Sequence, residues 1–162
     1  MKNRFATAFG IGLAFVGIVV AGILFMQRNA RVGLTGNVLK VRTAPLDENS
    51  SVVVVDFRLN NPGNVLFAVR SVTVTLEEKN GAQFEGRTIS EVDAKRLFEG
   101  LPLLGQKFTD TLVERDRIRG HTSQDRMVAA RFDAPDSRLD ARQRFLVRIE
   151  EVDGQISEFS EK

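Results

Sequence analysis

The fold is decided by residues 51–64, SVVVVDFRLNNPGN, where an apolar run becomes an alternation and then stops at a turn. A period of two is the pattern of a half-buried β-strand, with one face in a core and the other facing water. The side chains expected on the core face are Val53, Val55, Phe57 and Leu59. The sequence Asn-Pro-Gly-Asn at 61–64 then predicts a turn.

The same period recurs on both sides of this strand. Residues 72–76 alternate, and Asn80-Gly81 followed by residues 84–89 is typical of a hairpin with positive φ in its turn. Asp153-Gly154 predicts a second hairpin between the last two strands. The predicted strands, about seven in number, lie near 38–43, 53–59, 71–77, 84–89, 127–132, 145–150 and 156–159. This set predicts an antiparallel β-sandwich.

One segment departs from the strand pattern. Ser90 can cap a helix with Asp93 three residues later, and Gly100 can end it, so we expect one short helix inserted between strands. The apolar run Leu101-Pro102-Leu103-Leu104 follows in a predicted loop. This run either closes the open end of the sandwich or contacts a partner or the bilayer surface, and its candidate contact residues are Leu101, Leu103 and Leu104.

Residues 5–26, FATAFGIGLAFVGIVVAGILFM, carry no charge and would form a helix of roughly 33 Å, enough to cross a membrane. A cleaved signal peptide would have a shorter apolar region ending in small residues, whereas this run ends in LFMQRNAR. A core helix of this length would carry a polar face. We therefore predict a basic stub at 1–4, a transmembrane helix at 5–26, a tether at 27–35 and the β-sandwich domain at 36–160.

Basic residues flank the apolar run on both sides, so the positive-inside rule discriminates little. They are Lys2 and Arg4 before it and Arg28 and Arg31 after it, with Lys40 and Arg42 further along the chain. An uncleaved N-terminal signal anchor favours a single-pass protein with its domain on the exported, periplasmic or extracellular, side.

Small residues recur along the helix at spacings of four, four, three and four, which places them within about an 80° arc. They are Ala6, Gly10, Ala14, Gly17 and Ala21. In lipid such a stripe lets another helix approach closely and gain dispersion contacts. The stripe predicts packing against another membrane helix.

The charge distribution argues against nucleic-acid binding. Four of the 23 basic residues flank the apolar run, while all 21 acidic residues lie at Asp47 or later. The remaining 19 basic residues face 21 acidic ones, so the predicted domain has no basic footprint. Membrane lipid is the partner that the flanking charges favour.

The sequence offers little for catalysis, a metal or a cofactor. Cysteine is absent, His121 is the only histidine, and neither a phosphate-binding loop nor a dinucleotide fingerprint occurs. The adjacent carboxylates Glu77-Glu78 and Glu150-Glu151 would point to opposite faces of a strand and cannot flank one bond. A solvated His121 is expected, because a general base would need a nucleophile and an orienting carboxylate beside it. We therefore expect a non-catalytic protein without cofactor or metal.

The segment from Glu114 to Arg119 alternates in charge. It is either a solvated, salt-bridged strand edge, whose charges prevent pairing with other sheets, or an electrostatic docking surface. In the second case its candidate contact residues are Arg115, Arg117 and Arg119.

Three patterns follow one another within residues 38–133: Phe57-x-Leu59-x-Asn61-Pro62, Val72-x-Val74-x-Leu76 with Gly81 in the turn, and Ile118-x-Gly120. In these the chain resembles the late embryogenesis abundant group 2 proteins, which include the bacterial water-stress and hypersensitive-response (WHy) domains. The resemblance implies an immunoglobulin-like or fibronectin-like β-sandwich, often membrane-tethered or exported, without catalytic residues. The inserted helix and the Leu-rich loop depart from that pattern.

Two functions fit these expectations. The first is an accessory or scaffolding subunit, whose helix packs on a polytopic membrane protein while its sandwich braces the part outside the membrane. The second is a free-standing, membrane-tethered module that binds or protects surface components under water stress. An enzyme would require His121 and an acidic residue to converge.

Overall fold

The computed structural model describes the backbone of residues 2–27 and 33–161 and the side chains of residues 9–25 and 33–161. The fold is mainly β. Within the described residues, an N-terminal helix, α1 (Lys2–Gln27), precedes nine strands and two short α-helices. The strands are β1 (Thr35–Asp47), β2 (Ser50–Asn61), β3 (Phe67–Glu77), β4 (Gln83–Thr88), β5 (Asp110–Thr111), β6 (Arg117–Ile118), β7 (Thr122–Phe132), β8 (Arg144–Glu151) and β9 (Ile156–Ser160). The helices are α2 (Glu91–Gly100) and α3 (Asp136–Asp140), with a 3₁₀ turn at Pro102–Leu104.

Seven strands follow one hydrogen-bonded path, β1-β2-β7-β4-β3-β8-β9, which folds into two layers. One layer holds β1, β2 and β7, and the other holds β3, β8 and β9. Neighbours on the path are antiparallel, whereas the two-residue β5 runs parallel to β7. The molecule is thus an antiparallel, sandwich-like fold, as the period-two pattern predicted.

Strand β4 connects the layers at a corner. Its first four residues, up to Gly86, pair with β3, and its last two pair with β7. A Cβ at Gly86 would lie 2.6 Å from the ring of Phe132, so only glycine fits where the strand turns. At the opposite edge the layers meet where the Leu34 amide donates a hydrogen bond to Ser157 Oγ at 2.8 Å.

The main core fills the space between the layers. Alternate β2 residues enter it, as predicted, and meet side chains of β3, β7, β8 and β9. The ring centroids of Phe57 and Phe159 are 6.0 Å apart, and those of Phe132 and Phe145 are 5.8 Å apart. Such tilted pairs add to the stabilisation that apolar burial provides.

The expected solvent face of β2 is buried over its first half, up to Asp56, and becomes exposed at Arg58, which corrects in part the prediction of a half-buried strand. Val52 and Val54 lie in a second core, between the outer face of their layer and a cap. The cap consists of α2 and the Leu-rich 3₁₀ turn, which cover that face instead of closing the end of the sandwich. An apolar run buried on both faces explains why residues 52–55 are all valine.

Most predicted elements are present, at greater length. The strands β1, β2, β3 and β7 have 11–13 residues each. The inserted helix α2 begins after Ser90, whose Oγ accepts a hydrogen bond from the Asp93 amide at 3.2 Å. The sequence analysis missed α3 and the two-residue strands β5 and β6, because elements this short carry no periodicity.

The N-terminal segment is helical, as predicted. Over the described residues, none of the helices combines the length and the apolar character that a membrane crossing requires. Most of the predicted tether, residues 28–32, lies outside the described residues, as do the side chains of the stub 1–4.

Candidate contact surfaces

A buried ion pair lies under the cap, a feature that the sequence analysis missed. Arg42 on β1 and Asp56 on β2 are separated by 2.7 Å, and their side chains are only 7% and 8% exposed. Arg42 also donates hydrogen bonds to the carbonyl oxygens of Leu104, at 2.6 Å, and Gln106, at 2.8 Å. The pair therefore fastens the cap to the sheet, and Arg42 is not a charge beside the membrane.

Aromatic rings enclose this guanidinium group. Its Cζ lies 5.0 Å from the ring centroid of Phe98 and 5.8 Å from that of Phe108. Thr109 Oγ1 donates a hydrogen bond to the second oxygen of Asp56 at 3.2 Å. The ion pair thus fixes the segment after the 3₁₀ turn through both partners. The sequence feature that could have revealed this ion pair is Asp56, the single carboxylate directly after the run of four valines.

The three candidate leucines differ in how deeply they are buried. Leu104 is 1% exposed and belongs to the second core, while Leu101 is half-buried against it. Leu103, at 75% exposure, remains on the surface. The apolar run is therefore chiefly the inner lining of the cap, with Leu103 left to contact anything outside the chain.

Three loops gather at the end of the sandwich where β1 begins, which we call the entry end: residues 61–66, 119–122 and 152–156. The His121 amide donates to the Asn61 carbonyl at 2.8 Å, and Asn61 Nδ2 donates to the Ile118 carbonyl at 3.0 Å. A Cβ on Gly120 would lie 2.5 Å from the Gly63 carbonyl oxygen, so the first two loops touch backbone to backbone. The structure thus joins two of the patterns that carry the family resemblance.

The single histidine lies at this end, exposed and with φ of 56°. Its Nε2 is 2.6 Å from the side-chain oxygen of Asn64. An amide neither activates a base nor serves as a nucleophile. The contact between the His121 ring and Asn64 therefore orders a turn.

The alternating segment reaches the same end. Arg115, Arg117 and Arg119 are all exposed, and none of the ion pairs recorded within residues 33–161 involves them. Its backbone is not a free edge, because β6 pairs with β3 and the Arg115 amide donates to the Val69 carbonyl at 2.8 Å. The three guanidinium groups thus project from an ordered segment.

Neighbouring charges on β2 and β7 are paired. Arg58 lies opposite Asp125 and binds it with two hydrogen bonds, at 2.6 and 2.8 Å. The hydrogen bond from Arg58 lowers the pKa of Asp125 and raises the pKa of the arginine. At the other end of the sandwich, the Ser50 hydroxyl and the Asn49 amide lower the pKa of Asp47 in the β1–β2 turn.

Two grooves flank the corner strand. One, of about 890 Å³, lies between α2 and the sheet, and the other, of about 430 Å³, lies beyond it near Phe84. Arg87 and Arg131 line both grooves and face each other across β4 and β7, a like-charge arrangement that opposes pairing. Arg131 lies 3.9 Å from Asp47 and 3.6 Å from Asp133, which offsets part of that repulsion.

Three of the four adjacent carboxylates lie in ion pairs, each with a different arginine. Glu77 pairs with Arg144 at 3.0 Å, Glu78 with Arg138 at 2.6 Å, and Glu150 with Arg70 at 3.1 Å. Within the part of the chain that the structure describes, no three His, Asp or Glu side chains are grouped so as to hold a metal ion.

The helix α1 presents its small residues openly. A Cβ added at Gly10 or Gly17 would meet nothing within 4 Å. Ala14 and Ala21 are exposed, whereas the side chain of Ala6 lies outside the described residues.

Neither a family model nor a curated protein matches the chain. Among solved structures, the chain is similar to a crystal structure of an uncharacterized β-sandwich protein from Clostridium difficile 630. The two share 11% sequence identity with a TM-score of 0.41, over 82% of this chain and 89% of the other.

Proposed function

We propose that this protein is a non-catalytic accessory or scaffolding subunit, anchored in a membrane by its N-terminal helix and acting through contacts of its β-sandwich. One observation carries the proposal. All 17 described side chains of α1, residues 9–25, are apolar or glycine, and all are exposed. Such a surface is costly in water, so it needs lipid or another apolar helix around it.

The crossing itself is proposed from the sequence. The uncharged run extends over the 22 residues 5–26, and basic residues flank it on both sides. An exported domain remains the preferred orientation, because an uncleaved N-terminal signal anchor favours it. This arrangement makes lipid the first partner of the chain.

A polytopic membrane protein is the proposed second partner. Gly10, Ala14, Gly17 and Ala21 form an open stripe on which another helix could pack at short distance. The sandwich, which we assign to the immunoglobulin-like or fibronectin-like type on its seven-strand antiparallel path, would brace the partner outside the bilayer. Leu103 and the three arginines 115, 117 and 119 remain its candidate contacts.

Charge placed within the run tests the anchoring. We expect Val16→Lys combined with Val20→Lys to move the full chain from the membrane pellet to the supernatant after alkaline carbonate extraction. Each lysine near the centre of a membrane helix costs about 2.5–3.5 kcal/mol. The matched control, Val16→Leu with Val20→Leu, should stay in the pellet. Retention of the double-lysine variant would contradict anchoring by this helix.

Capture in mild detergent tests the accessory role. We expect a polytopic membrane protein to co-elute in fixed stoichiometry with the affinity-captured full chain, as measured by mass spectrometry. Gly10→Leu with Gly17→Leu should abolish co-elution, because the larger side chains hold the helices apart. Ile11→Leu with Ile18→Leu, which preserves bulk on another side of α1, should leave it unchanged. Elution of the parent chain alone would reject the accessory role.

The alternative is a free-standing, membrane-tethered module of the late embryogenesis abundant group 2 type. It is favoured by the contact between the Asn61-Pro62 turn and the Ile118-x-Gly120 segment, two parts of the resemblance that meet in space. Such a module would elute alone while remaining in the membrane fraction. The two experiments together therefore separate it from the accessory subunit.

A further inference from the structure

The entry end of the sandwich carries four exposed apolar side chains on two of its loops. Val65 and Leu66 follow the turn after β2, and Val152 and Ile156 flank the turn between β8 and β9. They are 45–54% exposed. Hydrogen bonds hold both loops, from Asn61 Nδ2 to the Val65 carbonyl oxygen at 2.9 Å and from the Val152 amide to the Ala68 carbonyl oxygen at 3.0 Å, so neither loop is a loose turn.

The chain enters the sandwich at this same end. Strand β1 starts at Thr35, opposite Asn60, so the antiparallel register puts the start of β1 beside the 61–66 loop. Gly33 lies beside Gln155 and Ser157, next to the other apolar loop. From Gln27, the end of α1, to Gly33 there are six residue steps, which reach at most about 22 Å. Chain length alone therefore keeps the entry end near the end of α1.

Three exposed arginines lie around these loops. They are Arg115, Arg117 and Arg119. The acidic groups nearby are Glu114, Asp116, Asp153, Glu150 and Glu151; Asp116 accepts a hydrogen bond from the Val113 amide, and Glu150 pairs with Arg70. The three arginines lie beside the apolar loops, where their guanidinium groups can bind the phosphate groups of lipid headgroups.

We infer that the entry end is a lipid-docking surface: Val65, Leu66, Val152 and Ile156 insert into the interfacial layer of the bilayer while the arginines contact anionic phospholipid headgroups. This inference rests on the proposed anchoring. Exposed apolar groups enter an interface by the same burial of apolar area that drives folding, and nearby basic residues add attraction to anionic lipid. Docking would hold the sandwich upright on the membrane, with α2 and the cap facing sideways.

Depth measurements test the surface, since a chain without cysteine accepts one label at a chosen site. The full chain is reconstituted into phosphatidylcholine vesicles, with and without phosphatidylglycerol, and single-cysteine variants carry a fluorophore quenched by lipid-borne nitroxide. Leu66→Cys and Val152→Cys should be quenched several-fold more than Glu48→Cys and Lys79→Cys. Those control sites lie at the other end, roughly 35 Å away along β2.

Two further variants define the contact. With the label at residue 152, Val65→Asp with Leu66→Asp should reduce quenching to the level of the controls. Val92→Asp with Leu103→Asp, apolar sites on the cap that are more exposed than Val65 and Leu66, should not. Arg117→Gln with Arg119→Gln should remove the gain that phosphatidylglycerol provides, about fivefold per arginine in the ratio of docked to undocked protein.

Flotation of the same vesicles distinguishes a failure of the proposed anchoring from a failure of the docking surface. Protein that does not float with lipid overturns the proposed anchoring. Protein that floats, with labels at residues 66 and 152 quenched no more than those at residues 48 and 79, overturns the docking surface alone. That outcome would leave the entry end to a protein contact.

Discussion

Asp56→Ala is expected to lower the free energy of unfolding by about 3–5 kcal/mol, because it leaves the Arg42 guanidinium buried without a counter-charge. The cap should loosen with it, since Arg42 holds the carbonyl oxygens of Leu104 and Gln106. Urea unfolding of the full chain in a single detergent, followed by circular dichroism, measures the effect. The midpoint should fall without a change in the final unfolded signal.

Two further variants test whether the loss of stability comes from the buried ion pair. Asp125→Ala breaks the exposed pair with Arg58 and should cost no more than about 1 kcal/mol. Arg42→Met combined with Asp56→Leu should recover much of the loss, because an apolar pair of similar volume needs no counter-charge. An Asp56→Ala chain within 1 kcal/mol of the parent would mean that the pair does not hold the cap.

Leu104→Ala is expected to destabilise the protein by about 2–5 kcal/mol, whereas Leu103→Ala should change stability by no more than about 0.5 kcal/mol. The two leucines are neighbours in one 3₁₀ turn, yet one is 1% exposed and the other 75%. The same urea titration compares them. Equal effects would contradict the placement of the turn, and a larger loss for Leu103→Ala would identify that residue as the buried one.

These two experiments concern the second core, which the sequence analysis did not anticipate. The period of two identified the face of β2 that enters the main core, but it assigned Val54 and Asp56 to solvent. Both are buried, since α2 folds back over the sheet. Whether a strand is covered on its second face depends on a distant segment, so local periodicity cannot report it.

The candidate contact surfaces were likewise only partly predictable from the sequence. The apolar helix and its small-residue stripe could be proposed from the sequence, because each depends on neighbouring residues. That arginines 115, 117 and 119 take part in none of the ion pairs among residues 33–161 could not, since a salt-bridged strand edge was the first expectation. The burial of Leu104 could not be, and neither could the meeting of Asn61 with Ile118, 57 residues apart. Such contacts are set by the path of the strands.

The sequence by itself determined the positions of the seven longer strands, both hairpin turns, the inserted helix and the uncharged N-terminal run, since these depend on local periodicity, turn chemistry and capping. Only the tertiary structure decided three things: that β4 passes between the layers at Gly86, that Arg42 and Asp56 meet under the cap, and that the chain enters beside the exposed apolar loops. The physical reason is register. Antiparallel pairing fixes which distant residues become neighbours, and a pattern read along one segment carries no record of its partner.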